Sequence, residues 1–215
     1  MSQHKSDQIK IKQQKGKAKN NKSGYEKREK RPPKKISESY LHNSGLYYLE
    51  RFAASKKHFI FVMTRKVKRS CMHHTEQNYD ECVSMVRNLA DKFERTGLLD
   101  DTLYTNGLVA SLRRKGKSRS AIVNKMRIKG IDQDRTLEAL DSLDNDQHNG
   151  SQQAEEEAAL KLAKKKKIGP FFIGEDENLQ KSLGVFARAG FSYQVSRKVL
   201  EMTEEEIEGA EKYYY

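Results

Sequence analysis

Apolar residues recur every three or four positions from about residue 46 to the end of the chain. This spacing places side chains on one face of an α-helix. The clearest example is Cys82, Val86, Leu89 and Phe93, and Gly97 follows it as a helix-ending residue. Strands are not indicated, because runs of β-branched residues are few whereas Leu, Ala, Glu, Lys and Arg are frequent. The pattern predicts an all-α fold.

Side chains that cap helices stand at the predicted helix starts. They are Ser55, Asp100 or Asp101, Ser118, Asp132 and Ser192. Thr203 and Glu206 have the spacing of a capping box and predict a short final helix. Between these elements, residues 144–151 are polar and predict a connector, and residues 164–177 predict an irregular link.

The helical pattern repeats along the chain. Residues 126–132 align with residues 186–192, an offset of 60, and Ser55 stands 63 residues before Ser118. A period near 60 with three helices in each unit predicts three tandem three-helix repeats that stack into an elongated, curved array. The predicted divisions are a disordered basic tail at 1–40, repeat one at 41–99, repeat two at 100–150 and repeat three at 151–215.

Charge is concentrated at the start of the chain. Residues 1–40 hold 13 Lys or Arg and 4 Asp or Glu, whereas the whole chain carries a net +12. This segment predicts either a solubilising tail or weak, salt-sensitive contact with nucleic-acid phosphates. The remaining residues are nearly neutral in sum, which weakens the simplest prediction of a nucleic-acid-binding protein.

Neither a membrane segment nor a catalytic motif is evident. No apolar run is long enough to span a bilayer, and two cysteines suit a reducing compartment, so we expect a cytoplasmic protein without membrane contact. The residues that resemble metal ligands are Cys71, His73, His74 and Cys82. Their spacing matches no common zinc site, and Cys82 falls on an apolar helix face, so a buried core cysteine is expected. Phosphate loops and nucleophile motifs are missing, and the sequence predicts no enzyme, cofactor or metal.

Several of these motifs together resemble the RecX family of recombination regulators, whose members consist of three tandem three-helix repeats. The residues that carry the resemblance are Tyr48, Leu49 and Ser55 in the first unit, 98–101, 113–116 and 126–131 in the second, and Phe186, Arg188 and 190–193 in the third. The match covers roughly residues 45–203. The first unit departs from the family, because residues 59–62 are Phe-Ile-Phe-Val and no Lys-Gly ends that helix.

The resemblance implies a non-enzymatic partner of the RecA recombinase. Members of the family bind within the groove of a RecA filament on single-stranded DNA and lower its ATPase and strand-exchange activities. We therefore expect a monomer that regulates homologous recombination, DNA repair and the SOS response. The alternative is a stand-alone helical protein that binds DNA or RNA without RecA.

Basic residues concentrated in the second unit are the candidates for contact with the filament or with DNA. They are Arg113, Arg114, Lys117, Arg119, Lys125, Arg127 and Lys129, with Arg188 from the third unit. Arginine offers two-point hydrogen bonding to phosphates and carboxylates. The alternative is that these cations only stabilise helix C-termini. A second basic run, at 164–167 beside Phe171 and Phe172, is either a solvated linker or a further contact with bases or with the filament.

Overall fold

The protein is built from α-helices throughout the part that the structure describes. The computed structural model describes the backbone of residues 32–212 and the side chains of residues 32–209. Most of the predicted basic tail, residues 1–31, and the three terminal tyrosines lie outside this range. Within it there are ten α-helices and one short 3-10 helix, and no strand. The prediction of an all-α fold is confirmed.

The first three helices enclose a core of their own. They are α1 (Glu38–Leu49), α2 (Lys56–Cys71) and α3 (Tyr79–Arg95). Phe59, Val86 and Phe93 are fully buried between them, and Cys82 is buried in the same cluster, as predicted. Gly45 lies where these helices approach most closely, since an added Cβ would stand 2.8 Å from the Phe93 ring.

The folded region begins before residue 41, so the tail boundary predicted at residue 40 is wrong. Ile36 is buried in the first core. Its N–H donates to Gln77 Oε1 at 2.8 Å, and Gln77 Nε2 donates back to its carbonyl at 2.9 Å. The Ser70 hydroxyl donates to the Lys34 carbonyl. The local sequence is polar and basic, but a single isoleucine and these backbone hydrogen bonds hold it against the helices.

The next three helices surround a smaller core. They are α4 (Asp101–Arg114), α5 (Arg119–Ile128) and α6 (Gln133–His148). Val109, Ile122, Met126 and Leu140 are fully buried among them. The polar connector predicted at 144–151 is wrong, because α6 continues to His148 and only two residues separate it from the following helix. Polar composition was misleading here, since these residues extend a helix and Asp144 is buried.

The last part of the chain forms four more α-helices. They are α7 (Ser151–Lys166), α8 (Leu179–Ala189), α9 (Tyr193–Leu200) and α10 (Glu204–Lys212), with a 3-10 turn at Gly169–Phe171. Helix α7 therefore covers the start of the predicted irregular link. Phe186 and Val199 are fully buried in the third core. The predicted capping box is present, because the Thr203 N–H donates to Glu206 Oε2 and the Glu206 N–H donates to Thr203 Oγ1.

Helices α2, α5 and α8, the second helix of each predicted repeat, meet end to end. At the first junction, Ser55 Oγ caps α2 by accepting the His58 N–H at 3.1 Å, and it donates to the Lys129 carbonyl at the end of α5. Asp101, on α4, accepts the N–H of Lys56 at 2.7 Å. The positive end of α2 thus meets the negative end of α5.

The same arrangement recurs at the second junction. Ser118 Oγ accepts the Ala121 N–H at 3.1 Å and donates to the Ala189 carbonyl of α8 at 2.6 Å. Glu155, on α7, accepts the N–H of Arg119 at 2.9 Å. Helices α8, α5 and α2 therefore follow one another head to tail, and equivalent residues make both contacts. Tandem repeats are visible in these contacts as well as in the helix order.

Glycine is required at the two helix ends that form these junctions. Gly130 and Gly190 have φ values of +83° and +86°, which favour a residue without a Cβ. A Cβ on Gly130 would stand 2.8 Å from the Lys57 side chain, and one on Gly190 would stand 2.8 Å from Ser118 Oγ. Both glycines therefore provide a left-handed turn and the space for the neighbouring helix start.

Candidate nucleic-acid interface

The predicted basic residues divide by exposure into three groups. Exposed to solvent are Arg114, Lys117, Lys125, Arg127 and Arg188. Arg119 and Lys129 are half-buried, and Arg113 is buried. The exposed residues are available to a partner, whereas the other three have contacts within the protein that restrict such a role.

Arg113 belongs to the interior, so its assignment to an interaction surface is wrong. Its side chain is 2% exposed and makes a two-point contact with Asp144, Nε to Oδ1 at 2.9 Å and NH2 to Oδ2 at 2.6 Å. Its NH1 group also reaches Glu155 at 2.7 Å and the Lys117 carbonyl at 3.1 Å. Burial alone would lower the pKa of Arg113, but the hydrogen bonds to Asp144 and Glu155 outweigh it and raise the pKa.

Arg119 is partly committed to the same network. Its NH2 group lies 2.7 Å from Asp141 and its NH1 group 3.2 Å from Ser151 Oγ. Its backbone N–H donates to Glu155, which also binds Arg113. Two arginines thus join α4, α5, α6 and α7 through acidic residues. The sequence showed the charges of this run but not that its acidic partners follow some 20 to 40 residues later.

Positive charge is concentrated on three of the helices. Helices α2, α5 and α8 together hold 11 Lys or Arg and no Asp or Glu, a net of +11. The rest of residues 32–215 holds 20 Lys or Arg and 27 Asp or Glu, a net of −7. The near-neutral sum of the folded region therefore conceals a separation of charge, and the three helices that follow head to tail contain no acidic residue.

Helix α2 adds aromatic side chains to this basic series. Phe61 is 57% exposed. The Arg65 guanidinium carbon lies 5.9 Å from its ring centre, and the His58 ring stacks against it with centroids 6.1 Å apart and planes 24° apart. Burial, together with the nearby Lys129 ammonium, lowers the pKa of His58. The sequence did not predict this group, because Phe61 lies in a run of apolar residues and nothing in its spacing distinguishes it from a core residue.

The second basic run has a different environment. Residues 164–166 form the last turn of α7, where cations face the negative end of the helix. The Lys164 ammonium lies 5.9 Å from the Phe171 ring centre, and Phe171 itself packs against the third core. Phe172 is exposed. The geometry accounts for the lysines through the helix end, and contact with bases is not needed to explain them.

The described residues include no group of three or more His, Cys, Asp or Glu positioned to hold a metal ion. Among those same residues, no helix is long and apolar enough to cross a membrane.

Comparisons with known proteins give relatives of a single kind. No family model matches the chain. The regulatory protein RecX of Myxococcus xanthus is 35% identical over 180 residues, which are 81% of this chain and 92% of that protein. The regulatory protein RecX of Agrobacterium fabrum is 32% identical over 177 residues, 79% of this chain and 86% of that protein.

Solved structures support the fold. The crystal structure of RecX from Lactobacillus salivarius superposes with a TM-score of 0.54 at 18% identity, covering 76% of this chain and 94% of that one. A second crystal structure, of a regulatory protein RecX, gives a TM-score of 0.53 at 19% identity, covering 77% of this chain and 72% of that one. The fold and the charge distribution define a helical-repeat protein with a basic surface along its second helices. By its sequence relatives, the chain belongs to the RecX family of regulatory proteins.

Proposed function

We propose that this chain regulates RecA by binding the filament that RecA forms on single-stranded DNA, and that it inhibits the filament's ATPase and strand-exchange activities. The observation that carries the proposal is the 35% identity to a regulatory protein RecX along 92% of that protein's length. In the cell, this activity would modulate homologous recombination, DNA repair and the SOS response. The protein acts in the cytoplasm as a monomer, by binding rather than by catalysis.

The arrangement of the helices favours such a role. Stacked helical units present a series of equivalent surfaces to a partner that is itself repetitive. Arg127 and Arg188 are exposed on helices without acidic residues, so each is free to meet a phosphate or an acidic side chain of the filament. Arg113 supports this function only by stabilising the fold. In the three-repeat division that we propose, repeat one begins by residue 36 and the two remaining boundaries stay as predicted.

The DNA-dependent ATPase rate of cognate RecA on single-stranded DNA, titrated with the full chain, tests this function. We expect inhibition at near-stoichiometric levels. The Arg127→Glu, Arg188→Glu double variant should need at least about 10-fold more protein for half-inhibition, because two charge-assisted contacts become repulsive. Arg87→Glu with Lys92→Glu on α3 is the matched control, since both residues are exposed and lie on a helix with four acidic residues.

Circular dichroism should show equal helicity for both variants. An unaltered ATPase rate with the wild-type chain would reject RecA regulation. If DNA binding without RecA persisted in that case, the stand-alone nucleic-acid-binding function would replace it. Equal inhibition by wild type and the double variant would instead move the contact surface away from α5 and α8.

A further inference from the structure

The exposed cations of the second helices lie on corresponding faces. Lys57 on α2 and Ser120 on α5 each stand two residues after a capping serine, and each adjoins the glycine that ends the next helix. The same face of α2 continues at helical spacing through Phe61 and Arg65. Because the helices meet end to end, these faces adjoin one another across both junctions.

We call the basic track the surface formed by Lys57, Phe61, Arg65, Lys68, Arg127 and Arg188. Its five cations form no salt bridge with any of the described residues, in contrast to Arg113 and Arg119. The track runs from Arg188, next to the last residue of α8, along the 10 residues of α5 to Lys68 near the end of α2. This path corresponds to about 37 Å of helix at 1.5 Å per residue. The track is therefore long enough to meet several successive phosphates of a polyanion.

Phe61 is the apolar member of the track. An exposed phenyl ring among cations is poorly suited to a purely acidic partner, because it would gain nothing from a carboxylate. A nucleobase has a flat π face that stacks on aromatic rings, and the phosphates beside it pair with Arg and Lys. Bases are free to stack in this way only where they are unpaired, because in a duplex each face is covered by the neighbouring base pair.

We propose that the basic track binds a single strand of nucleic acid directly, without RecA, with phosphates along its cations and a base stacked on Phe61. The inference goes beyond the proposed function, because it assigns the chain its own strand-binding site. Equilibrium binding to a fluorescein-labelled 20-nucleotide oligothymidylate, measured by anisotropy with the full chain and no RecA, tests it. We expect saturable binding that weakens as salt rises.

Two variants separate stacking from charge. Phe61→Leu keeps an apolar side chain but removes the π face, and it should weaken binding at least about 5-fold, in line with the usual contribution of one stacked base. It should leave binding to a 20-base-pair duplex unchanged. Arg65→Glu with Arg127→Glu should weaken binding at least about 10-fold and flatten the salt dependence, since two phosphate contacts are lost. Arg87→Glu with Lys92→Glu should bind like wild type.

A spectroscopic readout reports stacking itself. The chain has no tryptophan, so Phe61→Trp creates a single probe whose fluorescence should be quenched when a base stacks on it. Tyr79→Trp is the control, since Tyr79 is an exposed aromatic residue beside Asp80 and Glu81, and it should not be quenched.

Three results would overturn the proposal. One is the lack of any binding to the oligonucleotide. Another is wild-type affinity in both track variants, which would assign binding to residues 1–40 with their 13 basic residues. The third is unchanged Phe61→Trp fluorescence at saturation. None of these experiments contains RecA, so none of their results would contradict the proposed regulation of RecA, which the ATPase measurement tests.

Discussion

At the scale of single residues, Arg113 and Asp144 show how a charged pair is held inside a thin helical protein. Both side chains are almost fully buried, and the desolvation of each charge is offset by two hydrogen bonds to the other, with Glu155 accepting a further one. The pair joins α4 to α6, while Glu155 extends the contact to α7. Its role is structural, because no part of it is accessible to a partner.

Removing one member should therefore be costly. We expect Arg113→Met to lower the free energy of unfolding by about 3–5 kcal/mol, because the buried Asp144 would lose its two-point contact and keep only the Arg119 guanidinium, 3.8 Å away. Arg114→Met, a matched change at the next, exposed position, should cost no more than about 0.5 kcal/mol. Urea unfolding followed by circular dichroism measures both. Equal losses in the two variants would contradict the structural role of Arg113.

His58 makes the first junction sensitive to acid. Burial and the Lys129 ammonium hold the pKa of His58 below its ordinary value of 6.5, so the unfolded chain binds a proton at this residue more readily than the folded one. The free energy of unfolding therefore falls as pH drops below about 6.5. Above that value His58 is neutral in both the folded and the unfolded chain, and it causes no loss of stability. Urea unfolding between pH 7.5 and 5 should show a smaller loss for His58→Gln than for wild type. If the free energy of unfolding fell equally with pH in wild type and His58→Gln, His58 would be excluded as a source of the acid sensitivity.

At the scale of helices, the sequence predicted the starts well because capping is local. Ser55, Asp100, Ser118, Asp132 and Ser192 each accept a backbone N–H from within the next three residues, so their roles can be read from neighbours in the chain. The second bond of Ser55 and Ser118, donated to a helix end 74 or 71 residues away, has no local signal. The junctions were for this reason not predictable, although their residues were identified.

The junction glycines allow that second role to be measured. Gly97 and Gly190 both have positive φ, but a Cβ on Gly97 would meet nothing within 4 Å, whereas one on Gly190 would collide with Ser118 Oγ. We expect Gly97→Ala to cost about 1 kcal/mol, from backbone strain alone. Gly190→Ala should cost about 2–3 kcal/mol, because it also disturbs a helix cap and a hydrogen bond between helices. Equal losses in urea unfolding would show that the second junction contributes little.

At the scale of the whole molecule, the net charge conceals how the fold separates positive from negative residues. The sequence beyond the tail is nearly neutral, and that sum argued against a nucleic-acid interface. Once the helices are assigned, the positive charge falls on α2, α5 and α8, and a net negative charge falls on the remainder. The helical period and the repeat could be predicted from residue spacing. The burial of Arg113 and the end-to-end order of the second helices depend on long-range contacts, which spacing does not encode.

The boundary between tail and folded region provides the last prediction. Deleting residues 1–31 should leave the melting temperature within about 2 °C of the full chain, since that segment contains few apolar residues to bury. Deleting residues 1–40 also removes Ile36, its hydrogen bonds to Gln77 and the first turn of α1. A loss of about 3 kcal/mol or more follows from these contacts, so the melting temperature should fall by at least about 6 °C. Equal melting temperatures for the two truncations would show that residues 32–40 do not belong to the folded region.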